Sequence, residues 1–319
     1  MAKAEILDVM SSAKLFLGLL AAVEEGVADL LYESGPLSVE QLAARTGTLP
    51  APLRSLLRAL DSAGFVAEGP DGYVLTEAGR RLSAFHPRSL NHLLRLEAWG
   101  AREHVSLPGL QAALRGRQVP TELPEPLIPV LASAVEVGGA VPALLISRRP
   151  ELRGVRHLVD VGAGSGQYAV ALCRAHPELR VTALDREPML THAGDRVARH
   201  TELRDRIQVV RWDLHTDPLP VRGDAVLVSH LLHLLDAPER LDLLARIADG
   251  LEPGGLLLVH DFLGPRLDSG VIIDWMARGA CFDLDAAELI ADAESCGFTP
   301  VRTERLPGAG SSLVVARRR

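Results

Sequence analysis

The first third of the chain has the hydrophobic pattern of helices. Apolar residues recur at helical spacing from Ile6 to Leu31, which predicts one long helix there. The stretch Ser38–Gln41 is a capping box, and it predicts a short helix that ends near Gly47. A further helix is predicted over Pro52–Ala63, because Gly64 follows as a stop signal.

A small β element follows these helices. Two short apolar runs, 65–67 and 73–75, flank the turn residues 69–72, which predicts a hairpin, and Thr76 is a candidate cap for the next helix. Helix, turn, helix and hairpin in this order are typical of a winged helix. From His86 to about Ser147 the pattern is mostly helical and is interrupted by prolines.

From Val155 onward, short apolar runs alternate with helical patterns. The predicted strands are His157–Val161, Arg180–Leu184, Ile207–Val210, Ala225–Val228 and Leu256–His260. Such runs are typical of strands buried on both faces, and their alternation with helices predicts a parallel, doubly wound α/β sheet. The runs 298–302 and 312–316 predict a final hairpin. We therefore divide the chain into residues 1–85, 86–150 and 151–319.

Composition and charge exclude several classes of protein. Of the 319 residues, 47% are hydrophobic and 24% charged, which is typical of a soluble globular protein and not of a disordered one. No apolar run approaches the ~20 residues that span a bilayer, so we expect no membrane partner. The net charge of -7 argues against nucleic acid as a partner. Three widely spaced cysteines, Cys173, Cys281 and Cys296, predict reduced thiols and a cytoplasmic location.

A glycine-rich turn joins the first predicted strand to a helix. The apolar strand leads into Asp160, and Gly162, Gly164 and Gly166 follow before the helix begins. Glycines allow a tight turn and close approach of a ligand. The spacing differs from the dinucleotide fingerprint, because Gln167 stands where its last glycine would be. A carboxylate beside the turn disfavours a pyrophosphate and suits a ligand with a cationic amino-acid part.

Two more acidic residues stand at strand ends. Asp185 lies about 20 residues after the glycines, the placement that binds a ribose diol. Asp213 follows the third strand and could accept a hydrogen bond from an adenine amino group. Arg186, Leu214 and Ser229 complete the predicted cofactor site.

These residues resemble the class I S-adenosylmethionine-dependent methyltransferases, and more narrowly the small-molecule O-methyltransferases that carry an N-terminal winged-helix dimerisation domain. The resemblance also rests on stretches 56–60 with Gly64, 73–76 with Gly79, and 251–255. It implies a Rossmann-like methyltransferase sheet, a homodimer and a small-molecule acceptor. It further implies that the three glycines line the methionine and ribose of S-adenosyl-L-methionine, Asp185 the ribose and Asp213 the adenine.

Histidines cluster after the fourth and fifth strands. The family places a catalytic histidine in a His-Asp-Trp stretch, and His233 takes that position, although Leu234 and Leu235 replace the Asp and Trp. Histidine suits proton removal near neutral pH. We predict His233 as general base of an O-methylation, with His230 as the next candidate. Asp261 or His260 is predicted to orient it.

The same four residues allow a second hypothesis. His230, His233, His260 and Asp261 could bind zinc or iron for metal-assisted C-methylation of an α-keto acid or a similar chelating acceptor. His215 and His92 could join either site.

Other candidates concern the acceptor and the class of function. Trp99, Trp275 and Met276 are predicted walls of the acceptor pocket. A winged-helix DNA-binding regulator is disfavoured, because residues 1–105 carry more acidic than basic side chains. A relative that binds the cofactor without transferring methyl is a further alternative, since the Asp-Trp pair is missing.

Overall fold

The computed structural model describes residues 5–117, 125–187, 189–215, 217, 219–220, 222–263, 269–277, 284–307 and 311–319. The chain forms two compact units, Met1–Glu103 and His104–Arg319. Cys281 and the predicted proline-rich positions 120 and 124 lie outside the described residues.

The N-terminal unit contains six helices and a hairpin among its described residues. These are α1 Ile6–Glu24, α2 Val27–Ser34, α3 Val39–Thr46, α4 Pro50–Ser62, β1 Val66–Gly69, β2 Gly72–Leu75, α5 Glu77–Arg80 and α6 Asn91–Arg102. The capping box at Ser38 and Gln41 and the antiparallel hairpin are confirmed. The prediction of one helix from Ile6 to Leu31 is wrong, because Gly26 adopts a left-handed conformation with φ 73° and separates α1 from α2.

Helix α1 also corrects the expectation about apolar length. It has 19 residues with a mean hydropathy of 1.8, so by length and composition alone it could cross a membrane. Its buried side chains, Leu20, Ala22 and Val23, lie in its second half. The apolar residues of its first half, Ile6, Leu7, Val9 and Met10, are exposed together with Leu17. Exposed apolar surfaces of this kind are typical of interaction sites.

The second unit begins with helices and continues as an α/β sheet. Its helices are α7 Leu107–Ala113, α8 Ile128–Ser147, α9 Gln167–Ala175, α10 Met189–Arg199, α11 Ala237–Gly250, α12 Ser269–Ala277 and α13 Ala286–Ser295, with short 3-10 turns at 125–127, 150–152, 201–203 and 232–234. Its strands are β3 His157–Val161, β4 Arg180–Asp185, β5 Ile207–Arg211, β6 Gly223–Ser229, β7 Leu251–Asp261, β8 Phe298–Arg305 and β9 Ser312–Arg318.

The seven strands form one sheet in the order β5-β4-β3-β6-β7-β9-β8. The first five are parallel, and β9 and β8 pair antiparallel at the other edge, so the predicted sheet and terminal hairpin are confirmed. Apolar side chains pack on both faces of the sheet. The strand order reverses between β3 and β6, and in such sheets ligands bind at the carboxyl ends of the strands beside this point.

Candidate active site

The glycine turn after β3 has the backbone conformation that its sequence predicts. Gly162, Gly164 and Gly166 all have positive φ, at 71°, 56° and 72°. The amides of Gly162 and Ala163 both donate to the Leu184 carbonyl at 2.9 Å, which holds the turn against the end of β4. A side chain at Gly162 would be strained by its backbone, so a residue with a Cβ does not fit here.

Asp185, the last residue of β4, is bonded to this turn. Its carboxylate accepts from the Gly164 amide at 2.6 Å and from the Arg186 amide at 2.7 Å. Burial raises the pKa of this carboxyl above its usual value, against the opposing effect of these two amides. The structure therefore brings the predicted ribose-binding acid directly beside the glycine turn.

Asp160 is a buried acid on β3. Its side chain is fully buried, and neither carboxylate oxygen has a hydrogen-bond partner within the described part of the chain. Burial, together with the nearby Asp185, raises the pKa of Asp160 to about 7. A buried unpaired carboxylate is costly unless a partner binds it. A cationic amine beside the glycine turn would supply that partner, which is what the amino-acid part of S-adenosylmethionine offers.

The third acid, Asp213, lies in a turn after β5. Its carboxylate accepts from the His215 amide at 2.9 Å, and its own amide donates to Asp217 at 2.8 Å. Arg246 of α11 donates to the Leu214 carbonyl at 2.9 Å, so the turn is anchored to the helix behind it. These hydrogen bonds therefore hold Asp213 and Leu214 at the carboxyl end of β5.

The structure pairs His233 with Asp261. His233 lies in the 3-10 turn after β6, and its Nδ1 is 2.6 Å from Oδ1 of Asp261 at the end of β7. The second carboxylate oxygen accepts from the Leu232 amide at 2.8 Å. Burial raises the pKa of Asp261, but the hydrogen bond from His233, the charges of the neighbouring His233 and His230 and the Phe262 amide together hold it below its usual value. Both side chains are almost completely buried.

His230 occupies a strained position beside this pair. With φ 50° it is the one non-glycine residue with positive φ in the described part of the chain. Its ring lies 4.3 Å from that of His260 and 4.5 Å from that of Phe262, and its Nδ1 is 4.0 Å from Asp261. Burial lowers the pKa of His230 to about 4, so its imidazole is neutral at physiological pH.

His260 is bonded to residues other than Asp261. Its Nδ1 is 2.9 Å from the Tyr168 hydroxyl and 3.2 Å from the Ser229 hydroxyl. Burial and the adjacent His230 lower the pKa of His260 to about 3. Sequence reasoning did not find Tyr168, because a single tyrosine in a helix gives no signal that separates a polar contact from core packing.

The described residues do not favour the metal hypothesis. No group of three histidine, cysteine or acidic side chains among them is arranged to hold a metal ion. The Asp261 carboxylate is instead bonded to His233 and to the amides of Leu232 and Phe262.

The candidate acceptor residues lie on two different helices. Trp99 lies on α6 in the N-terminal unit and is buried. Trp275 and Met276 lie on α12, where Met276 is partly buried and the Trp275 side chain is outside the described part of the structure. His92 also lies on α6, whereas His215 is exposed near Asp213.

The sheet order, the glycine turn and the three acids at successive strand ends define a nucleoside-binding methyltransferase of the Rossmann-like type. Comparison with known proteins agrees. An O-methyltransferase domain profile matches residues 136–276, and an O-methyltransferase dimerisation domain profile matches residues 7–84. The chain belongs to the O-methyltransferase family.

Individual relatives support this assignment. The tetracenomycin polyketide synthesis 8-O-methyl transferase TcmO of Streptomyces glaucescens is 30% identical over 98% of this chain and 96% of that protein. The 3-amino-4-hydroxybenzoate 4-O-methyltransferase of Streptomyces cremeus is 30% identical over 77% of this chain and 69% of its own length. The structure of human N-acetylserotonin methyltransferase in complex with SAM shares the fold, with a TM-score of 0.78 and 23% identity over 100% and 99% of the two chains. The protein is a methyltransferase that uses S-adenosylmethionine.

Proposed function

We propose that the chain methylates a hydroxyl oxygen of a small natural-product acceptor, with His233 as general base. The observation that carries this proposal is the 2.6 Å contact between His233 Nδ1 and Asp261 Oδ1. A carboxylate in this position fixes the proton on Nδ1 and leaves the basic lone pair on Nε2. It also stabilises the imidazolium that forms when the base takes a proton.

The base is needed because a phenolic hydroxyl ionises near pH 10. Asp261 holds both the backbone and the side chain of His233. The His233 amide donates to the Asp261 carboxylate at 3.3 Å, and the His233 ring bonds the same carboxylate. This rigidity positions the base for proton removal, a contribution of about 10²- to 10⁴-fold in rate. The absence of the Asp-Trp pair after His233 does not remove the carboxylate, since Asp261 supplies it from β7.

The cofactor supplies a methyl group already activated on a sulfonium. Asp160 would bind the cofactor's ammonium, Asp185 its ribose and Asp213 its adenine. The backbone of the glycine turn can approach the cofactor closely, because glycines carry no side chains. His230 and His260 remain neutral because burial lowers their pKa to about 4 and about 3. They therefore place no positive charge next to a cationic ligand.

The names of the relatives support the class of acceptor. Those reported above are named for oxygen methylation of a hydroxybenzoate and of a polyketide. We propose an acceptor of the same kind, a hydroxylated natural product.

We also propose that the protein is a homodimer. The match of residues 7–84 to a dimerisation domain and the exposed apolar first half of α1 support this. A second copy of the chain would cover side chains such as Leu17, which is 56% exposed.

The role of His233 is tested by His233→Ala and Asp261→Asn. Turnover is followed as release of S-adenosylhomocysteine with a panel of hydroxybenzoates and hydroxynaphthoates. His233→Ala should lower turnover by about 10²- to 10⁴-fold. Asp261→Asn, which keeps the shape but loses the charge, should also lower it. Affinity for S-adenosylhomocysteine should be unchanged in His233→Ala.

His215→Ala is the matched control, since His215 is an exposed histidine. It should keep near-normal turnover. Near-normal turnover in His233→Ala would overturn the proposed base.

A further inference from the structure

Three side chains form a buried polar cluster on one face of the sheet. The Tyr168 cluster consists of Tyr168 from α9, Ser229 from the end of β6 and His260 from the end of β7. The hydroxyl groups of Tyr168 and Ser229 both lie within hydrogen-bond distance of His260 Nδ1, at 2.9 and 3.2 Å. All three residues are less than 10% exposed. The cluster therefore holds the imidazole of His260 in one orientation.

Apolar side chains pack against one part of this cluster, so its remaining polar atoms need an explanation. Tyr168 packs in the same core as Leu158, Leu258 and Leu313. His260 Nε2 is buried there and has no hydrogen-bond partner among the residues that the structure describes. A buried N–H or lone pair without a partner costs free energy, and native structures rarely leave one unless a ligand or water completes it.

Asp160 lies on the same face of the sheet as His260. Alternate residues of a strand share a face, and Leu158 on β3 and Leu258 on β7 belong to one core. Asp160 and His260, each two residues further along, therefore point to that face. Asp160 raises the pKa of Tyr168 together with burial, which places the carboxylate near the cluster. The Asp160 carboxylate and His260 Nε2 therefore lie on either side of one region at the strand ends.

The register of the sheet gives the distance between them. Asp160 is in register with Leu227 on β6, and Leu227 with Leu258 on β7, so His260 is two strands across and two residues along. At about 4.8 Å per strand and 3.3 Å per residue, the two Cα atoms are separated by about 12 Å. That separation leaves space between the side chains for a small zwitterion and its hydrogen bonds.

We propose that His260 donates a hydrogen bond from Nε2 to the carboxylate of the cofactor's amino-acid end, whose ammonium binds Asp160. Tyr168 and Ser229 act as positioning residues that hold His260. The inference rests on the proposed cofactor site. It assigns to His260 a role in cofactor binding and not in proton transfer or metal binding.

The protonation states agree with this role. Burial raises the pKa of the Tyr168 hydroxyl, so it remains a donor, and a donor at Nδ1 keeps the His260 proton on Nε2. Burial lowers the pKa of His260 to about 3, so the imidazole binds as a neutral donor. The Asp160 carboxylate matches the ammonium of an α-amino acid, and the N–H donor of His260 matches its carboxylate.

The test compares two ligands that differ in this end alone. S-adenosylhomocysteine contains the amino acid, whereas 5′-methylthioadenosine keeps the adenosine and thioether without it. In His260→Leu, calorimetry should show affinity for S-adenosylhomocysteine reduced by about 10- to 100-fold, the loss of a hydrogen bond to a charged group. Affinity for 5′-methylthioadenosine should change less than about 2-fold.

His157→Leu is the matched control. Like His260, His157 lies on a β-strand, but both of its ring nitrogens are bonded, to Arg222 and Thr182, and it lies at the other end of the sheet, where β3 begins. Both affinities should stay within about 2-fold of the unmodified protein in this variant, by the same criterion.

Equal losses for both ligands in His260→Leu, or no loss for either, would overturn the proposal. If His260→Leu does not fold, Tyr168→Phe carries the test, because it removes only the hydroxyl that holds His260. It should show a smaller loss for S-adenosylhomocysteine and none for 5′-methylthioadenosine, and an unchanged ratio of the two affinities would overturn the proposal. Failure of the proposed base would appear separately, as normal turnover in His233→Ala.

Discussion

Three histidines surround the ends of β6 and β7, and their environments give them different chemistry. His233 bonds the carboxylate of Asp261 at 2.6 Å, whereas His230 Nδ1 is 4.0 Å from it and His260 faces Tyr168 and Ser229. The sequence placed all three at strand ends and ranked His233 before His230 only through the family pattern, because side-chain directions across two strands cannot be read from the residues themselves. The family position of His233 is consistent with its pairing in the structure.

Asp160 gives a prediction about the pH dependence of cofactor binding. Its pKa of about 7 in the free protein is raised by burial, and a bound ammonium would lower it again. Binding below pH 7 should therefore release a proton, and affinity for S-adenosylhomocysteine should rise from pH 5.5 to 7.5, by at most about tenfold per pH unit. Calorimetry in buffers of different ionisation enthalpy measures the protons released.

Asp160→Asn is the control for this effect. It should bind S-adenosylhomocysteine more weakly at pH 7.5 and show no proton release. Equal affinity of the unmodified protein at pH 5.5 and 7.5, without proton release, would contradict the assigned partner of Asp160.

Two histidines give the stability of the apo protein a pH dependence in the same direction. His230 and His260 have pKa values below those of the unfolded chain, so the unfolded state binds more protons and stability falls as the pH drops from about 6.5 towards 4. His260→Leu should reduce this loss by up to about 1.4 kcal/mol per pH unit. Urea unfolding at a series of pH values measures it, and an unchanged slope would show that His260 is not neutral in the folded protein.

At the scale of elements, most strands were predictable and two features were not. Strands buried on both faces are short apolar runs between turn residues, so β3 to β6 follow directly from the pattern. Strand β7 begins earlier than predicted, since residue 251 already pairs with Gly223. The prediction began the strand later because Pro253 and Gly254 are typical of a turn. The break at Gly26 was missed because the apolar periodicity resumes directly after it.

The contact between α5 and Phe65, the residue before β1, gives a prediction about stability. A Cβ at Gly79 would lie 1.7 Å from the Phe65 carbonyl oxygen, so the backbone of α5 packs where no side chain fits. Gly79→Ala should lower the free energy of unfolding of the N-terminal unit by about 1–3 kcal/mol or more. Urea unfolding followed by fluorescence measures the change.

Gly194 on α10 is the matched control, since a Cβ there meets no atom of the described residues within 4 Å. Gly194→Ala should be neutral or should stabilise by about 0.5–1 kcal/mol, as expected for alanine in a helix. Equal stability of the Gly79 and Gly194 variants would show that α5 moves freely away from Phe65.

At the scale of the whole molecule, the exposed apolar half of α1 is the feature that a single chain does not explain. Leu17→Asp introduces a charge into this surface without touching the buried residues Leu20 and Val23. Because burying an unpaired charge is costly, we expect the variant to sediment as a monomer. Val301→Asp, at a 50% exposed position on β8, should sediment like the unmodified protein. A dimer in Leu17→Asp would place the interface elsewhere.

The position of the His233–Asp261 pair within the sheet has a consequence for recombination between relatives. Both residues belong to one β–α–β segment, residues 223–261, whereas Asp160, Asp185 and Asp213 precede it. A chimera that exchanges this segment would transfer the proposed general base with its carboxylate and would keep the strands that carry the proposed nucleoside-binding acids. His260 would be exchanged with it, so a donor segment that lacks this histidine would remove the hydrogen bond proposed for the cofactor carboxylate while Asp160 remains.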